Sequence, residues 1–130
     1  HMLRAVAEGI VFNHRHHIDL IDPKREVGRV RLTGGSSRNP FFGQLFADAL
    51  DRCIEVPEMP EAGALGAAIA AGIAAGVYSG WEEAGLRTTP QLRTYRPGDA
   101  VARLAAGYSS YCDAIATIKK WHGEKTHDGK

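Results

Sequence analysis

Apolar and polar positions along this 130-residue chain fall into blocks of two periods. Leu3, Val6, Ile10 and Phe12 recur at three- to four-residue intervals, which predicts a helix from Leu3 to about Ile21, stopped by Asp22-Pro23. Val27 to Thr33 (VGRVRLT) is β-branched or alternating and runs into Gly34-Gly35, the pattern of a strand closed by a glycine turn. Asn39-Pro40 opens the next helix, with Asn as N-cap and Pro at the first helical position. Phe42, Leu45, Phe46, Ala49 and Leu50 give it one apolar face. Cys53 to Val56 reads as a short second strand ended by Pro57.

The run from Ala62 to Tyr78 (AGALGAAIAAGIAAGVY) carries no charge. Its Ala and Gly content and its lack of basic flanks argue against a membrane span. Leu65, Ala68, Ile69, Gly72, Ile73 and Gly76 recur at helical spacing, so we expect a buried helix whose small-residue stripe packs closely. Residues 80–98 read as a turn-rich connection. Asp99 is placed as the N-cap of a last helix from Val101 to about Trp121, with Leu104, Tyr108, Tyr111, Ile115 and Ile118 inward. Trp81 and Trp121 are expected in the core.

The resulting order, α-β-α-β-α-α, implies an α/β domain with parallel strands flanked by helices. Two strands make a poor sheet for four helices, and the first helix starts without a capping residue. The expectation is a chain that forms part of a larger domain or obtains the rest of its sheet from another chain. The division expected is residues 1–2 as a tag scar (His1-Met2), 3–121 as the domain part, and 122–130 as a flexible tail.

Charge and cysteine usage narrow the function classes. Lys+Arg 16 against Asp+Glu 15 gives a formal net charge of +1, without the clustered basic excess of a nucleic-acid binder. Two cysteines, Cys53 and Cys112, lie in no zinc-like spacing and fit a reducing, cytoplasmic setting. His14, His16 and His17 invite a metal reading, but a polar helix face accounts for them, and no metal site is assigned.

The candidate chemistry lies in Thr33-Gly34-Gly35-Ser36-Ser37-Arg38-Asn39. Ligands of open α/β sheets bind beyond the carboxyl ends of the strands, where a glycine pair lets a flat or charged group approach the backbone. The segment is neither a phosphate loop nor a dinucleotide fingerprint. On spacing alone, a tight turn followed by an Asn-capped helix is the favoured explanation. No GxSxG, HExxH or acid/base pair is present.

LTGGSSRNPFFGQLFADALD, IEVPEMPEAGALGAAIAAGIAAGVY and RAVAEGIVFNHRHHIDLI, together and with this spacing, resemble the end of the FGGY carbohydrate kinases. The resemblance covers about Leu3 to Tyr78 and matches the remainder loosely. It implies part of the second, nucleotide-binding domain of an actin, heat-shock ATPase and hexokinase (ribonuclease H-like) fold, whose further strands precede Leu3. It also implies ATP with Mg²⁺, and a small sugar, a pentulose or polyol, as phosphoryl acceptor. The binding residues would be Gly34, Gly35, Ser36 and Asn39, with Gly35 nearest the nucleotide and Asn39 both capping its helix and meeting the adenine. Ser36 stands where relatives often have Gly or Ala, and Ser37 and Arg38 read as rim residues. The catalytic base and the Asp-x-Gly-Thr turn of such kinases have no counterpart here, so no catalytic residue is assigned and the chain alone is expected to be inactive. The expected partners are ATP, the sugar and the remaining part of the kinase, with room for a homodimer and neither nucleic acid nor membrane. Two rivals stay open: a non-catalytic nucleotide-binding or self-associating module, and another kinase or ATPase of the same superfold.

Overall fold

The computed structural model describes residues 1–59 and 61–127, with side chains described through residue 121 and residue 60 excluded. Helix α1 spans Met2–Ile21, strand β1 Arg29–Arg31, helix α2 Pro40–Leu50 and strand β2 Cys53–Pro57. Helices α3 (Ala62–Ala74) and α4 (Trp81–Thr88), strand β3 (Leu92–Tyr95) and helix α5 (Val101–His127) complete the order. Residues 128–130 of the expected tail lie outside the described residues, while α5 continues past its expected end near Trp121.

The sheet has the order β1-β2-β3. β1 and β2 are parallel, with Val30 beside Ile54, and the crossover between them is α2. β3 runs antiparallel to β2 with Ile54 beside Tyr95, so the sheet is mixed rather than wholly parallel. One face of the sheet meets α2, and there Leu45, Phe46, Ala47, Ala49, Leu50, Ile54 and Val56 form the core with Val11 and Phe12 of α1 and Leu104 of α5. Deletion of methylenes at such sites costs the transfer energy and leaves a cavity.

α2 has well-satisfied ends. Asn39 Oδ1 accepts from the Phe41 N–H at 3.0 Å, the expected cap. At the other end, Arg15 Nη1 donates to the Ala49 carbonyl at 2.7 Å and Arg25 Nη2 to the Leu50 carbonyl at 2.7 Å, satisfying carbonyls the helix cannot bond itself. Buried Asp48 accepts from Gln44 Nε2 at 2.8 Å and from the Gly98 N–H at 2.7 Å, tying α2 to the loop before α5.

Several expectations are corrected. On α1, Ala7, Val11 and Phe12 are buried, whereas Leu3, Val6 and Ile10 are exposed. The Ala/Gly helix buries no residue; it packs on α4, and Gly76, at φ 75, ends it in the left-handed conformation that glycine adopts freely. Trp81 and Trp121 are exposed, and on α5 only Leu104 of the expected inward set is fully buried. α5 begins at Val101, with Ala100 rather than Asp99 accepting from the Leu104 N–H. The supposed turn-rich connection holds α4 and β3.

Candidate functional site

The glycine turn stands at the carboxyl end of parallel strand β1. The ladder continues one residue past the strand, where the Leu32 N–H donates to the Glu55 carbonyl at 2.9 Å. Gly34, at φ 89, then turns the chain into a single 3₁₀ turn, Gly35–Arg38. The Gly34 carbonyl closes this turn by accepting from the Ser37 N–H at 3.1 Å and from Ser37 Oγ at 2.7 Å. The Ser36 carbonyl accepts from the Asn39 N–H at 3.3 Å, and α2 begins.

Gly34, Gly35, Ser36 and Asn39 are therefore neighbours on one exposed turn. A Cβ built on Gly34 or Gly35 meets no heavy atom within 4 Å. For Gly34 the positive φ accounts for glycine, but at Gly35 neither the backbone nor packing requires it. The open space above Gly35 fits a flat group lying against the main chain. The Asn39 cap uses Oδ1, and the amide nitrogen of the side chain is a donor the cap does not need.

A cleft of about 520 Å³ lies against the same turn on the side of Ser37 and Arg38. Val56, Pro57 and Met59 supply its apolar wall, with Glu58 and Arg93 as its polar edge. Arg93 pairs with Glu58 at 3.0 Å, and Arg38 pairs with Glu61 at the start of α3. Ser37 and Arg38 are thus walls of a cleft rather than rim residues alone. The alternation Leu92-Arg93-Thr94-Tyr95 is the sequence signal for β3, and so for Arg93, but four residues between turn-rich segments also fit a connection.

On the sheet itself, Glu55 of β2 pairs with two arginines of β1. Its carboxyl is held below the ordinary carboxylate range by hydrogen bonds and charge from Arg31 at 3.2 Å and Arg29 at 3.3 Å, against the opposing effect of burial. His14 and His17 donate to the Ile10 and Asn13 carbonyls, both at 2.8 Å, and so are occupied within α1. Among the described residues no group of three or more His, Cys, Asp or Glu could hold a metal ion. No described helix is long and apolar enough to cross a membrane.

Comparison with known proteins identifies the family of the chain. A family model described as the FGGY family of carbohydrate kinases, C-terminal domain, matches residues 1–75. The L-xylulose/3-keto-L-gulonate kinase of Escherichia coli is 33% identical over 124 residues, covering 94% of this chain and 25% of that protein. A glycerol kinase of Pseudomonas putida is 40% identical over 124 residues, covering 93% of this chain and 24% of the relative. Among solved structures, the ligand-bound xylulose kinase of Lactobacillus acidophilus superposes with a TM-score of 0.78 at 27% identity, covering 95% of this chain and 25% of that one. The chain thus spans about a quarter of the length of the relatives it matches. The α/β fold expected from the sequence, part of an actin, heat-shock ATPase and hexokinase domain, is the one observed.

Proposed function

Because the chain belongs to the FGGY family of carbohydrate kinases, we propose that it is the carboxyl-terminal nucleotide-binding portion of a longer ATP-dependent enzyme that phosphorylates a sugar hydroxyl. A pentulose or polyol is the acceptor class, in keeping with relatives named for xylulose and glycerol. The observation that carries the reading is the uncrowded Gly34-Gly35 turn at the end of a parallel strand. Gly35 lets the nucleoside lie against the backbone, and Asn39 offers its side-chain amide to the base while its oxygen caps α2. Ser36 adds a hydroxyl at the mouth of the turn.

Phosphoryl transfer rests on positioning and on stabilising charge. Mg²⁺, held by the phosphates, would neutralise charge on the transferred group. The base for the sugar hydroxyl belongs to the remaining part of the kinase, which is also the main partner of this chain. A cytoplasmic setting goes with free Cys53 and Cys112. The test is turnover: the longer kinase, given ATP, Mg²⁺ and a panel of ketoses and polyols, makes a sugar phosphate, whereas the 130-residue chain makes none. Robust turnover by the short chain would overturn the division of labour proposed here.

A further inference from the structure

The cleft of about 520 Å³ beside the glycine turn is of a size that holds a small molecule. Its polar groups are mostly acceptors. Glu58 stands one residue past β2, where its N–H donates to the Gln91 carbonyl at 2.7 Å and its Oε1 accepts from Arg93 Nη2 at 3.0 Å. Its other oxygen, Oε2, is in no hydrogen bond among the described residues, and a carboxylate can only accept. Ser37 Oγ, on the same cleft, gives its hydrogen to the Gly34 carbonyl at 2.7 Å, so toward a ligand it too can only accept. Two such acceptors suit a ligand that brings two donors. A phosphate ester brings none, and the arginines of the cleft, Arg38 and Arg93, are already matched by Glu61 and Glu58. A purine edge sets acceptors beside its donors, and Asn39, which meets the base in the proposed function, does not line this cleft. A vicinal diol presents two O–H donors on adjacent carbons. Its oxygens can in turn accept from the Arg93 guanidinium, whose bond to Glu58 uses one of several N–H groups. The C–H face of the same ring would lie on Val56, Pro57 and Met59.

We infer that this cleft receives the ribose of the nucleotide and that Glu58 is a specificity-determining residue for it. Glu58 Oε2 and Ser37 Oγ accept from the ribose 2′- and 3′-hydroxyls, while Gly35 lies against the nucleoside. Arg93, held opposite Val56 by the β2–β3 register, donates to the same hydroxyl oxygens and keeps Glu58 in place. This assignment rests on the proposed function, since ribose must lie beside the base that the turn is proposed to receive.

Deoxynucleotides test this in the longer kinase. ATP should be preferred over 2′-deoxy-ATP by about tenfold or more in kcat/KM, because a site built to bond a hydroxyl discriminates against the analogue that lacks it. Glu58→Ala should bring that ratio close to one by raising the KM for ATP about tenfold, with the KM for the sugar unchanged. Glu58→Asp, which keeps the carboxylate, should restore part of the preference. An unmutated kinase that uses both nucleotides equally would overturn the inference, as would a preference that survives Glu58→Ala. A raised sugar KM in Glu58→Ala with the nucleotide ratio intact would assign the diol to the acceptor sugar and overturn it too. Binding of ADP and 2′-deoxy-ADP reads the same ratio without turnover. A Glu58-dependent ratio in a longer protein that phosphorylates no sugar would remove the phosphotransfer reading and keep the ribose site. Equal binding by an active kinase would do the reverse. Should Glu58→Ala fail to fold, Ser37→Ala removes the other acceptor; it should lower the ratio, and an unchanged ratio would overturn the inference.

Discussion

Helices α2 and α3 are both apolar, yet α2 buries seven residues from Gly43 to Leu50 and α3 buries none. The difference lies in how each segment's pattern meets its neighbours. α2 has a defined cap at Asn39, large side chains on one face and two arginines on its last carbonyls, and it fills the crossover between β1 and β2. α3 is Ala and Gly nearly all round, with only Leu65, Ile69 and Ile73 as larger groups and α4 as its neighbour. A helix hydrophobic on every side is suited to burial. Here its larger side chains, Leu65, Ile69 and Ile73, are only half-buried.

This contrast can be broken most sharply by truncating a side chain on each side of it. Leu50→Ala empties a fully buried position and should lower the unfolding free energy by about 3 kcal/mol, whereas Ile69→Ala on α3 should change that of the 130-residue chain by less than about 0.5 kcal/mol. Urea titration of both variants decides, and equal losses would mean α3 is part of the core.

Glycines sharpen the comparison next. A Cβ at Gly43 of α2 would stand 2.5 Å from the Tyr95 ring, so Gly43→Ala should cost about 1–3 kcal/mol. At Gly66 of α3 a Cβ meets nothing within 4 Å, and Gly66→Ala should stabilise by about 0.5–1 kcal/mol through helix propensity. Opposite signs in thermal melts support the distinction; matching signs would remove it.

The smallest effect is on pH. Burial raises the Asp22 carboxyl pKa, but the Glu26 and Val27 N–H groups and Arg52 outweigh it and hold the net value low; Glu55 is likewise held low, chiefly by Arg31. Both groups sit around β1 and β2 and none of these partners lies on α3. A depressed folded-state pKa contributes stability above the unfolded value and loses it as pH falls through the folded one. Melting temperature should therefore fall as pH drops below about 4, and less steeply in Glu55→Gln. An identical slope in that variant would show that Glu55 contributes nothing.

What could be read from the sequence follows the same divide. α2 and β2 were legible because cap, period and Pro57 stop all agree locally. On α1 the helix was legible but its inner face was not, since Leu3, Val6 and Ile10 are as apolar as Val11 and Phe12 and only the docking of α2 and α5 chooses between them. α4 and β3 were missed for a different reason. α4 is short and buries only Ala84, and its clearest mark is Glu83, which accepts from the Ser79 N–H and hydroxyl, both at 2.8 Å. β3 exists through its pairing with β2, a tertiary cause that four residues cannot announce. The glycine turn was found in sequence, while the cleft beside it needed Arg93 from that unread strand.

The central claim, that the Gly34-Gly35 turn receives the nucleotide, is tested most directly by Gly35→Val in the longer kinase. Its local backbone has room for the side chain, so the fold should survive and a clash should arise only with a bound nucleoside. We expect the KM for ATP to rise by about tenfold or more with the sugar KM unchanged. An unaltered KM for ATP in a folded Gly35→Val enzyme would contradict the account.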